Sequence, residues 1–120
     1  MSKMIEPNNW EEFLKEFVGR NQNRRARFNV FFRSGETVEE AEEGHLKEIT
    51  LNKNGNQTQI VIGRIDRSNA EEQIMTDTID NVRGIAVQYE SDNSENILEL
   101  TDDKNTLISL RFESRIDGVS

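Results

Sequence analysis

The side chains with most chemistry to offer in this 120-residue chain are one imidazole, His45, a set of 23 carboxylates, and the arginines that follow residue 19. Cysteine is absent, which excludes disulfides, thiolate zinc sites, iron–sulfur clusters and thiol nucleophiles. His45 follows Gly44 at the mouth of a strand-like segment, with no serine elbow or partnered motif beside it. It reads as an ordinary turn or surface histidine rather than a general base. Two carboxylates across a cleft could hydrolyse a glycosidic bond, but a chain this acidic produces such pairs by composition alone. Asn52, Asn54 and Asn56 have part of the spacing of an oxygen-rich calcium loop without its aspartates, and Gly55 serves a hairpin there. Asp102-Asp103-Lys104-Asn105 and the stretch from Asp92 to Asn96 read as polar turns. The sequence therefore assigns no catalytic residue, no cofactor and no metal.

The arginines carry the strongest positive signal. Arg20, Arg24, Arg25, Arg27 and Arg33 lie among Phe28, Phe31 and Phe32, a mixture that single-stranded nucleic-acid platforms use. Against that reading stand a net charge of −8, the missing glycines of an RNP1 pattern, and the acidic run Glu36, Glu39, Glu40, Glu42 and Glu43 next door. A two-residue turn at Ser34-Gly35 would pair Arg33 with Glu36, Phe31 with Val38, Arg27 with Glu42 and Phe28 with Ala41. Arginines then face glutamates across a ribbon, while Phe28, Val30 and Phe32 alternate as core residues should. These five arginines are the candidate interaction surface.

The elements that must position them begin with one helix. Trp10, Phe13, Leu14, Phe17 and Val18 fall on one helical stripe, which predicts a helix over about 9–18. Asn9 suits the N-cap with Glu12 in the capping-box place, and Gly19 suits a left-handed exit. From about 24 to 113 the apolar period becomes two, with turn residues between short runs, as in an antiparallel sheet. A loop at Asn54-Gly55 would set Ile49 against Ile60 and Leu51 against Thr58. Turns near 91–96 and at Asp103-Lys104 would set Val87 against Leu100, Tyr89 against Leu98, Leu100 against Leu107 and Ile97 against Leu110. That arrangement puts Val87, Tyr89, Leu98, Leu100 and Leu107 on one face and Ile97, Ile108, Leu110 and Phe112 on the other, so this meander should be covered on both sides. Residues 65–70 read as a loop and 73–76 as a short strand.

Leu, Ile, Val and Phe number 31 of 120, enough for a core in one compact domain spanning 1–120 with short tails. The longest uninterrupted apolar runs are three residues, such as Ile60-Val61-Ile62, far below the roughly 20 that a membrane span needs. The opening residues have no secretory or lipidation pattern, which points to the cytoplasm.

Trp10-x-x-Phe13-x-x-x-Phe17, the Arg27 to Glu43 hairpin, Leu46-x-x-Ile49 ahead of an Asn-Gly turn, and Ile97-Leu98-Glu99-Leu100 closing on residues 106–112 together resemble a family of short bacterial proteins classed as a domain of unknown function. The resemblance implies the same fold and assigns no catalytic residues.

These readings converge on an α+β domain, one amphipathic helix packed on a bent antiparallel sheet of six or seven strands, as a meander or partly open barrel. The expected role is a non-catalytic module that binds a protein or a small molecule, with self-association through an edge strand as an addition. Single-stranded nucleic-acid binding on the first hairpin and carboxylate-based hydrolysis are the rivals.

Overall fold

A computed structural model describes residues 2–41, 43–67 and 71–113. Nine strands form one antiparallel sheet: β1 (Ser2–Met4), β2 (Arg25–Phe31), β3 (Thr37–Glu39), β4 (Gly44–Asn54), β5 (Gln57–Asp66), β6 (Gln73–Ile79), β7 (Val82–Tyr89), β8 (Glu95–Asp102) and β9 (Leu107–Phe112). One helix, α1 (Trp10–Asn21), follows β1. The α+β class matches the expectation, and nine strands replace six or seven. Ser2–Met4 is a strand the sequence reading did not foresee, and residues 65–66, expected in a loop, belong to β5. Of the loop expected over 65–70, residues 68–70 lie outside the described residues.

The helix starts at Trp10 and runs past Gly19 to Asn21. Asn9 makes no side-chain cap, because Pro7–Asn9 already wind as a 3-10 turn that leads straight into the helix. The left-handed exit falls at Asn23, with φ of 71°, rather than at Gly19. Trp10, Leu14, Phe17 and Asn21 face inward. Phe17 packs on Phe112 with ring centroids 5.6 Å apart, and the Trp10 indole N–H donates to the Ile5 carbonyl at 2.9 Å.

The strand order is β1-β7-β8-β9-β2-β4-β5-β6, with β3 beside the outer half of β2. Near its start β2 pairs with β4 at Arg25 and Ala26, and further on with β3 at Asn29 to Phe31. β6 and β7 lie towards opposite ends of this order, yet only Asp80-Asn81 joins them. From Ile79 to Val82 the chain reaches at most about 11 Å. The sheet must therefore curl until its two ends approach, although it does not close. Its concave face and α1 enclose one core that includes Leu46, Ile60, Ile62, Ile85, Val87, Leu98, Leu100 and Leu110.

The hairpin registers differ from the sequence reading because of loop geometry. Phe32 N–H donates to Glu36 O and Gly35 N–H to Phe32 O, a three-residue loop with Gly35 at φ of 95°. The same pattern recurs at Glu90 to Ser94 with Asn93 at φ of 69°, and at Asp102 to Thr106 with Asn105 at φ of 61°. Each loop places its last residue in the left-handed region. In the first hairpin Val30 thus pairs with Val38 and Phe31 with Thr37, one residue away from the expected register. Glu42 lies outside the described residues, so its pairing with Arg27 does too. Between β8 and β9 the slip is also one residue, so Leu98 meets Leu110 and Leu100 meets Ile108. A one-residue slip changes face. Ile108, Leu110 and Phe112 consequently join Val87, Leu98 and Leu100 on the concave side; of the residues expected on the other face Ile97 stays there, buried but outside the concave core. Two further registers shift by two residues and keep every face: Leu51 meets Ile60 across a Gly55-Asn56 loop, and Val87 meets Leu98.

Candidate functional site

Alternation along β5 puts Ile60, Ile62 and then Arg64 on the concave face, and Arg64 is fully buried there. Its guanidinium donates to both Glu40 carboxylate oxygens at 2.8 Å, to Asp77 at 3.1 Å and to the Ala26 carbonyl at 3.0 Å. It also stacks 4.5 Å from the centre of the Phe28 ring. Gly44 makes the room, since a Cβ there would stand 2.8 Å from the Arg64 Cβ. Burial pushes the Glu40 carboxyl up, but hydrogen bonds from Arg64 and the Phe28 N–H, with the Arg64 charge, outweigh it and hold it below the ordinary carboxylate range. Burial likewise opposes the charge on Arg64, and the carboxylates of Glu40 and Asp77 more than restore it.

A second closed network ties the helix exit to β8. Arg20 donates twice to Glu95, both bonds 2.9 Å, and the Asn21 amide donates to Glu95 Oε1 and to the Phe17 carbonyl. Arg24 donates to Asn21 Oδ1 and to the Glu95 and Glu113 carbonyls, and lies 4.9 Å over the Phe112 ring. Burial raises the Glu95 carboxyl, but hydrogen bonds from Arg20 and Asn21 and the charges of Arg20 and Arg24 leave it lowered. Arg20 is raised by its bond to Glu95 against the opposing effect of burial.

The five arginines read from the sequence do not form one cationic surface. Arg20 and Arg24 belong to the Glu95 network. Arg25 pairs with Glu113, while Arg27 reaches Glu39 at 3.4 Å and Glu43 at 3.3 Å. Arg33 is exposed in the first hairpin loop. A hydrogen bond from the Glu113 carboxyl lowers the Glu43 carboxyl; burial opposes this, and Arg27 and Arg25 reinforce it. These carboxyls are compensated on the spot by the hairpin arginines. His45 sits at the start of β4, half-buried, opposite Arg25 and Ile65, and its Nδ1 has no hydrogen-bond partner. Among the described residues no group of three or more His, Asp or Glu side chains could hold a metal ion. No described helix is long and apolar enough to cross a membrane.

Beside these networks the first hairpin carries apolar side chains open to solvent. Phe28 is buried, but Phe31 is 37% exposed, Phe32 41% and Val38 47%. Phe32 was expected in the core; it lies one residue past the end of β2 and is exposed instead. By register Val30, Phe32 and Val38 share the concave side of the hairpin, beside Ile108 of β9, and Phe31 takes the other side. At the other end of these strands a hollow of about 520 Å³ lies between Arg20, Tyr89 and the Asp92 to Glu95 turn, with the Arg20 to Glu95 pair in its lining.

Sequence reasoning missed Arg64, Glu40 and Glu95 as the centres of these networks. Arg64 was findable, as the next concave position after Ile60 and Ile62. The partners come from distant segments, with Glu40 24 and Glu95 75 positions from the arginines they bind. Comparisons with family models, curated proteins and solved structures give no match to this chain.

Proposed function

We propose that the protein is a non-catalytic interaction module that docks another protein on the β2–β3 hairpin. The observation that carries this reading is the exposure of Phe32 and Val38 on one face of that hairpin, with Phe31 exposed on the other. Exposed large apolar side chains cost solubility and are concentrated where partners bind. The ionisable groups support the same view. Arg64 and Glu95 are buried and each held by several partners, and a group so engaged is a poor nucleophile, base or ligand clamp. A protein partner fits better than a small molecule, because exposed apolar side chains on a hairpin offer contact area, whereas in the hollow by the Asp92 to Glu95 turn the two charged side chains Arg20 and Glu95 are already engaged with each other. The cytoplasmic setting expected from the sequence belongs to this reading.

Replacing Phe32 by a photo-crosslinking phenylalanine analogue in living cells tests it, with the same analogue at the exposed helix position Lys15 as the control. Discrete higher-mass adducts from position 32 and not from position 15 are expected. Equal or absent adducts would sink the hairpin as the docking surface. Titration with labelled single-stranded oligonucleotides at low salt addresses the rival, since binding weakened by Arg25→Ala and Arg27→Ala would favour nucleic acid instead.

A further inference from the structure

β6 ends the sheet, and among the described residues no strand pairs with its far side. The two-residue loop at Gly55-Asn56 makes Asn54 and Gln57 a hydrogen-bonded pair, so the odd-numbered residues of β5 bond to β4. Its even-numbered residues Ile60, Ile62, Arg64 and Asp66 therefore bond to Ile79, Asp77, Met75 and Gln73 of β6. Ile74, Thr76 and Thr78 must then aim their backbone N–H and C=O groups away from the sheet. All three are exposed, Ile74 at 61%. Of the devices that blunt an edge the strand has no proline, no lysine and no bulge, and retains only an inward-pointing charge. Its one charged side chain, Asp77, turns inward to Arg64.

We infer that β6 pairs in antiparallel fashion with β6 of a second copy of this chain, about a two-fold axis through Thr76. The strand is complementary to itself in that register. Thr76 meets the partner's Thr76 and Ile74 meets the partner's Thr78, so every residue with outward backbone groups finds another of the same kind. The facing side chains are neutral and β-branched, which suits cross-strand packing. Centring the axis on Ile74 or Thr78 would leave part of the strand unpaired. The Thr76 register sets Glu72 against the partner's Asp80 at each flank, a like-charge contact that salt screens. Association therefore strengthens as ionic strength rises. This interface lies on a different strand from the β2–β3 hairpin, so either reading can fail while the other stands.

The chain has no cysteine, so a single introduced one reports only on contact between copies. Across a hydrogen-bonded pair the Cα atoms are about 5.5 Å apart, within the span of a disulfide. Under mild oxidation in high salt, Thr76→Cys should yield a covalent dimer at least about ten-fold faster than Thr78→Cys, whose thiol faces the partner's Ile74 instead. Sedimentation velocity of the unmodified protein should show a dimer whose fraction grows with salt. A monomer at every salt concentration, or equal crosslinking rates for the two variants, would overturn the interface.

Discussion

Arg64 is the residue on which most of the interior depends. It is wholly buried and held by two carboxylates and a carbonyl, so removing it leaves Glu40 and Asp77 facing each other without a cation. Breaking a buried ion pair by deleting one partner costs about 3–5 kcal/mol, whereas replacing both partners by neutral groups of similar size often costs little. Arg64→Ala should therefore destabilise the protein by roughly 3–5 kcal/mol in urea titrations. Combining Arg64→Met with Glu40→Gln should cost less than the sum of the two single changes, and strict additivity would mean that the pair is uncoupled. Glu40 and Glu95 also set the acid limit. Both carboxyls titrate lower in the fold than in the unfolded chain, so their stabilisation is complete above an ordinary glutamate value of about 4.3 and is lost as pH falls through the folded values. Glu95→Gln should lower stability near neutrality and flatten its decline between roughly pH 5 and 3. An unchanged slope in that window would show that Glu95 gains nothing from Arg20 and Asn21.

The strands and their loops show where the sequence was legible. The helix was readable from Trp10, Leu14 and Phe17, and the antiparallel sheet from its alternation, because both follow from periodicity. Register was not, because it turns on one residue in each loop. Gly35 and Asn105 each hold a left-handed conformation that lengthens an expected two-residue turn to three. Asparagine adopts that conformation often enough to serve, and nothing in Asp103-Lys104 announces that Asn105 will. The error moved Leu110 and Phe112 to the wrong face while leaving their strand assignments intact. Of the arginines read as partners for the acidic run, Arg27 reaches Glu39 and Glu43, while Arg20 finds Glu95 and Arg25 finds Glu113 across the fold. Loop chemistry can be tested directly. Gly35→Val should cost about 1–2 kcal/mol because a β-branched residue is strained at positive φ, whereas Asn105→Gly should leave stability almost unchanged or slightly raised. Equal effects of the two changes on the urea midpoint would argue against the three-residue loops.

At the scale of the whole molecule, the short Asp80-Asn81 connection curls the sheet around α1, and the curl decides what each charged residue does. It carries Arg64 into the interior, where Glu40, arriving from the hairpin, and Asp77, from β6, close over it. It also leaves Phe31, Phe32 and Val38 of the hairpin exposed. Arg64, Glu40, Asp77, Arg20 and Glu95 are thus committed to the fold, and the two proposals above assign contact with other molecules to apolar surface and backbone edge. Carbon-detected NMR titration of the Glu40 and Glu95 side-chain carboxyls tests that division most directly. Midpoints for both below the ordinary carboxylate range are predicted. A midpoint raised toward neutrality for either would contradict the account, since a carboxyl poised there is one held ready for acid or base catalysis.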